Sequence, residues 1–236
     1  MTIASKKYVP PQYNQLLAVT LLRLLIIPFA DGGWGELLAS FLLFHISFLI
    51  IRSYRLKRSL FGLLVAIASL GFLLEILLTL GKIPTSTLFL VTTQGIYSCF
   101  FGSAVFLILR SILQVSRVTG DTVKGGVCVY LLLGYFWGLL YSIVYTLDNN
   151  AFSSALVTET SRLRVLYFSF VTLTTLGFGD ITPASEVASI LTVLEALIGQ
   201  VYPAVFMALL VSSYLAHRES PAPSASIKPE SKSNHP

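Results

Sequence analysis

The chain has 236 residues, of which 55% are hydrophobic and only 11% charged. A soluble domain of this length carries about a quarter charged residues, so the composition argues against a water-soluble globule and for an all-α membrane protein. The net charge of +5 follows from loop topology and does not call for a nucleic-acid partner.

A membrane-spanning helix needs about 20 apolar residues. In chain order the apolar runs are Leu16 to Ala30, Leu37 to Ile51, Leu60 to Leu80, Ser86 to Leu109, Val127 to Leu147 and Val187 to Leu215, which predicts six transmembrane helices. The first two are short and meet at "DGGWGE", as tilted spans or as a shallow hairpin. The start, "MTIASKKYVPPQYN", has no small-residue cleavage site after a short apolar region and does not read as a signal peptide. Cys99 and Cys128 fall inside apolar runs and read as small buried residues, with neither disulfide scaffold nor metal site implied.

Basic residues stay on the cytoplasmic side of a membrane. With the amino terminus inside, that side collects Lys6, Lys7, Arg52, Arg55, Lys57, Arg58, Arg110, Arg117, Lys124, Arg218, Lys228 and Lys232. The outer side keeps Lys82, Arg162 and Arg164. Both termini are therefore expected in the cytoplasm, with the protein multi-pass in the plasma membrane (the inner membrane, if bacterial). Residues 219–236, "ESPAPSASIKPESKSNHP", have almost nothing to bury and read as a disordered cytoplasmic tail.

Between the fifth and sixth runs, Asp148 to Glu186 is too polar for a plain span and too apolar for a plain loop. Its middle, "RVLYFSFVTLTT", is compatible with a helix that ends at the glycines of "GFG". This predicts a re-entrant helix followed by a loop. Non-helical backbone at membrane depth is tolerated where it is buried in protein or lines a water-filled path, so the loop reads as a pore lining.

"TLTTLGFGD", Thr172 to Asp180, resembles the selectivity filter of potassium channels, T-x-x-T-x-G-Y/F-G-D, and residues from about Val127 to Leu215 are similar to the potassium channel pore-domain superfamily. The chemistry accounts for the spelling. A dehydrated cation needs a cage of oxygens, which rings of backbone carbonyls supply. Aiming successive carbonyls at one axis requires some residues at positive φ, which Gly177 and Gly179 reach without a Cβ penalty. The resemblance implies a filter of Thr174, Thr175, Leu176, Gly177, Phe178, Gly179 and Asp180. Potassium would be held by the carbonyls of Thr175, Leu176, Gly177 and Phe178 and by the Thr175 hydroxyl. Leu176 stands where valine is commoner and Phe178 where tyrosine is commoner; the second change removes a hydroxyl that ties the filter to neighbouring aromatics, so a softer filter is expected.

One loop cannot surround an ion, so a homotetramer is implied. Tyr167, Phe168 and Thr172 fall where the family's pore helix supports the filter. Tyr167 is placed either to donate a hydrogen bond to Asp180 or to pack with a wet hydroxyl. Gly199 falls at the hinge glycine of many such inner helices and Pro203 removes a helical hydrogen bond beyond it; the competing reading of Gly199 is close helix packing. Helical spacing puts Ala196, Gln200, Pro203 and Met207 on one face, assigned to the cavity. Glu195 lies about 100° away from Ala196, which favours a contact with the pore helix or a neighbouring chain over a cavity charge, although intramembrane acids are functional suspects by default.

Six spans with a pore between the last two resemble the voltage-gated architecture, but the fourth run has no basic residue before Arg110, so an arginine-ladder voltage sensor is not expected. Arg23, His45 and Glu75 lie at a similar depth, roughly 8 to 12 Å below the outer surface. They read as a buried Arg23–Glu75 staple, or as a proton sensor through His45. The expected organisation is a four-helix domain at 1–118, a pore domain at 119–218 and the tail. The expected function is passive potassium-selective conduction in a homotetramer embedded in the lipid bilayer, with potassium as permeant ion and no cofactor. The alternatives are a weakly selective cation channel and a membrane subunit of a potassium uptake transporter. One complete loop argues against the transporter, whose family fuses four degenerate ones. With no paired acids, metal-ligand spacing or nucleophile motif, an enzyme is not expected.

Overall fold

The computed structural model describes residues 13–29, 33–53, 58–80, 86–114, 118–153 and 161–218. Among them every extended element is a helix. These are α1 (Tyr13–Ile26, continued by a 3-10 turn, Ile27–Phe29), α2 (Gly33–Ser53), α3 (Arg58–Thr79), α4 (Thr87–Leu113), α5 (Gly120–Leu147), α6 (Ser161–Leu173) and α7 (Glu186–Arg218). An isolated bridge between Phe152 and Pro183 is the one extended pairing among the described residues.

Four helices are long and apolar enough to cross a membrane, through Phe61–Leu78, Thr87–Leu113, Gly120–Leu147 and Glu186–Ser213. The first two predicted runs are helices as well, but their apolar stretches, Tyr13–Phe29 and Leu37–Arg52, are shorter. At a rise of about 1.5 Å per residue such stretches reach roughly 25 Å, less than the ~30 Å hydrocarbon core. The predicted tail at 219–236 lies outside the described residues, as do Lys6, Lys7, Arg55, Lys57, Lys82 and Arg117 of the orientation argument.

Helix α5 is the centre of the molecule. It packs along α4 and also meets α1, α6 and α7. Its start is fixed by a capping box, in which the Thr119 hydroxyl accepts from the Thr122 backbone and the Thr122 hydroxyl from that of Thr119. Its glycines let large side chains approach: a Cβ at Gly125 would stand 2.9 Å from the Tyr13 ring, and one at Gly134 would stand 2.6 Å from Phe170. Small residues at such contacts are how apolar helices gain close packing where lipid offers no hydrophobic drive. Some polar side chains on these helices satisfy themselves locally, as in Thr20 to the Leu16 carbonyl (2.6 Å) and Ser47 to the Leu43 carbonyl (3.0 Å), so these hydroxyls do not have to reach water.

Two of the intramembrane polar residues, Arg23 and His45, meet aromatic rings. Because α1 packs on α2 and α5, Arg23 faces an aromatic ring: its guanidinium lies 4.8 Å from the Tyr135 centroid, and its Nε donates to the Ala39 carbonyl at 3.4 Å. Glu75 is buried on α3, which packs on α2 and α4, and His45 stacks on Phe41 at 6.1 Å.

Candidate functional site

Helix α6 is too short to cross a membrane and is held between α5 and α7. Its end is a tightened turn: the Thr174 and Thr175 amides donate to Phe170 and Thr172, and the Leu176 and Gly177 amides both reach the Val171 carbonyl, at 2.9 and 3.3 Å. The Thr174 hydroxyl also turns back, to the Phe170 carbonyl at 2.7 Å. The carbonyl end of a helix carries partial negative charge, so α6 presents that end where the "TLGFG" loop begins.

The loop backbone then alternates. Thr175 has φ of 57°, Gly177 of 55° and Gly179 of 78°. Every second residue is therefore left-handed, the arrangement that turns successive carbonyls toward a common side. Gly177 and Gly179 take this conformation as expected of glycine. Thr175 was not anticipated, because a β-branched residue there is strained by about 1–3 kcal/mol. Residues 174–180 are all exposed on the single chain, with Leu176 at 58% and Phe178 at 64%.

Behind the loop, α5, α6 and the segment between them are fastened by aromatic side chains. Tyr141 of α5, Phe152 of the following segment and Phe168 of α6 meet edge to face, with centroids 5.0 to 5.6 Å apart. Tyr130 donates to the Leu173 carbonyl at 3.1 Å and stacks on Tyr202, whose hydroxyl donates to the Gly126 carbonyl at 2.7 Å. Tyr167 lies parallel to Phe178, 6.4 Å between centroids, and its hydroxyl bonds the Asp180 carboxylate. Thr172 is buried, and its carbonyl receives the Thr175 amide.

The exit of the loop is tied to the end of α5. Ser153 donates its amide to the Thr182 carbonyl at 2.9 Å and accepts the Thr182 amide on its hydroxyl at 3.1 Å, while the Ala184 amide reaches Ala151.

Helix α7 runs unbroken through Gly199 and Pro203. The face carrying Ala188, Glu195 and Gly199 is buried. Gly199 sits directly on the backbone of Leu173, where an added Cβ would collide with the carbonyl. This is the close-packing role. Gln200 and Met207 are exposed and Ala196 and Pro203 half-buried, on a stripe about a quarter turn from the packed face. Glu195 is fully buried; it accepts a hydrogen bond from Tyr141 (2.5 Å) and lies at hydrogen-bond distance from the Ser169 hydroxyl (2.6 Å). It thus meets α5 and α6 on the packed face, about a quarter turn from that stripe. Sequence reasoning did not single out Tyr141, Phe152 or Ser169. A buried acid demands donors, but 11 tyrosines offered no way to choose among them.

No curated protein and no solved structure matches the chain. The family model described as ion channel matches residues 126–215, from the glycine pair of α5 through α6 and the alternating loop to the last turns of α7. That family is not a class of enzyme. Over residues 126–215 the chain is accordingly similar to the ion channel family.

Proposed function

We propose that the protein is a passive potassium channel in which four copies surround one axis and line it with the carbonyls of Thr175, Leu176, Gly177 and Phe178. The observation that carries this reading is the alternation at Thr175, Gly177 and Gly179, since a left-handed residue at every second position serves no helix or sheet and does orient carbonyls for a dehydrated cation. Its strain at Thr175 calls for a compensating function. The tetramer is supported by exposure. Leu176, Phe178 and most of α7, including Val193, Leu197 and Val201, are uncovered large apolar side chains on one chain, and neighbouring copies and lipid would cover them.

In this reading α6 is the re-entrant pore helix, α7 the inner helix and the Ala196, Gln200, Pro203 and Met207 stripe the cavity wall. Gating at Pro203 belongs to the same proposal, as do the division at residues 118 and 119, the cytoplasmic termini and the plasma-membrane location. The arginine-free α4 segment from Thr87 to Leu109 supports conduction without a ladder-type voltage sensor.

The test is the reversal potential of the purified protein in a planar bilayer with potassium on one side and sodium on the other. A value near the potassium equilibrium potential is expected. Clear currents reversing near zero would replace the proposal with a weakly selective cation channel, and the absence of current would overturn it.

A further inference from the structure

The Ser169 hydroxyl has one hydrogen and two acceptor-facing contacts. It lies 2.8 Å from the Gly134 carbonyl oxygen and 2.6 Å from Glu195 Oε1. A carbonyl only accepts, so if Ser169 serves Gly134 it has no proton left for Glu195. The other carboxyl oxygen, Oε2, receives the Tyr141 hydroxyl at 2.5 Å. All three contacts are hydrogen bonds at once only if Oε1 carries a proton and donates it to Ser169. The surroundings agree. Glu195 has no exposed surface, and the groups facing it are Tyr141 and Tyr130 of α5 and Ser169 of α6, with Thr192 of its own helix beside Tyr141. Among the described residues no basic side chain is paired with it, and an unpaired buried carboxylate is costly.

We propose that Glu195 is a positioning residue for the filter, present as the neutral acid and acting through Ser169. The chain of protons runs from Glu195 to Ser169 to the Gly134 carbonyl, with Tyr141 closing the other side. It joins α5, α6 and α7 at a site three residues before Thr172, where α6 turns into the loop. None of Glu195, Ser169, Gly134 and Tyr141 is among the residues that would line the ion path. Its effect is to hold α6 at a set spacing and rotation against the two flanking helices, so that the alternating loop starts from a fixed point. The proposal rests on the channel reading given above.

Infrared spectroscopy of the purified protein, together with flux in liposomes, provides the test. The wild-type minus Glu195→Gln spectrum is expected to show a protonated carboxyl band lost in the variant. Glutamine can repeat both contacts, its amide donating to Ser169 and its carbonyl accepting from Tyr141, so Glu195→Gln should keep wild-type potassium flux and selectivity. Glu195→Ala and Ser169→Ala each leave a buried group unpaired, and their flux or selectivity should fall about tenfold. Loss of an ionised-carboxylate band in place of the acid band would overturn the neutral acid. Glu195→Gln as impaired as Glu195→Ala would do the same, and that comparison keeps its force if the alanine variant fails to fold. A wild-type protein that shows the acid band but passes no ions would instead overturn the channel reading, and the positioning role with it.

Discussion

Gly199 of α7 lies against the carbonyl group of Leu173, the last residue of α6, so closely that an added Cβ would stand 3.0 Å from the Leu173 Cα and nearer still to its carbonyl. The contact is backbone on backbone, and neither partner has a flexible end to swing away. Alanine is the better helix former by about 1 kcal/mol, so a glycine serving only as a bend should gain stability on replacement. Gly199→Ala is instead expected to lose about 1–3 kcal/mol through overpacking and to reduce potassium flux. Thermal unfolding of the detergent-solubilised protein checks the sign, and a higher midpoint in Gly199→Ala would remove the packing role.

Gly177 and Gly179 sit at φ of 55° and 78° with nothing near the place of a Cβ. Space is therefore not the objection to a side chain; conformation is, at about 1–2 kcal/mol for each L-residue held left-handed. Gly177→Ala and Gly179→Ala should leave the helix content of the protein unchanged by circular dichroism and abolish selective flux. Wild-type reversal potentials in either variant would contradict the carbonyl arrangement.

Tyr167 does two things at once, stacking on Phe178 and bonding Asp180. Tyr167→Phe keeps the first and removes the second. The expected result is an unchanged selectivity with faster loss of current during sustained activation, read from macroscopic currents. An unaltered time course would show that the hydroxyl contributes nothing to the outer mouth.

Arg23 meets the Tyr135 face at 4.8 Å, and a cation–aromatic contact of this kind is worth about 0.5–2 kcal/mol. Tyr135→Leu should therefore lower thermal stability more than loss of the ring's packing alone, and in an Arg23→Met background the extra loss should disappear. A double-mutant cycle measures this, and purely additive effects would deny the contact any energy.

The second half of the chain was legible because its chemistry leaves few spellings. Glycines at alternate places after threonines, between two apolar runs, located the loop, and counting along α7 put Glu195 about 100° from Ala196, which favoured a contact with a neighbouring helix over a cavity charge. The helices before it were legible as helices and not as neighbours. Depth along the chain put Arg23 and Glu75 at one level, but α1, α2 and α3 are apolar on all sides, and such helices carry no stripe from which their rotation can be read. The ring that faces Arg23 follows from α1 packing against α5, a long-range contact. Thr175 escaped for a different reason: its conformation is imposed on it by the glycines that follow and the turn that precedes it, against its own preference.

The clasp between Ser153 and Thr182 has a consequence for tolerance to change. Upstream the loop is moored at the Val171 carbonyl, downstream at Ser153 and Ala151, so the stretch between behaves as a strap cut to length. Surface loops elsewhere in proteins absorb an inserted residue at little cost. Here one residue more or fewer would shift every left-handed position by one place, and neither mooring could slip to restore the phase.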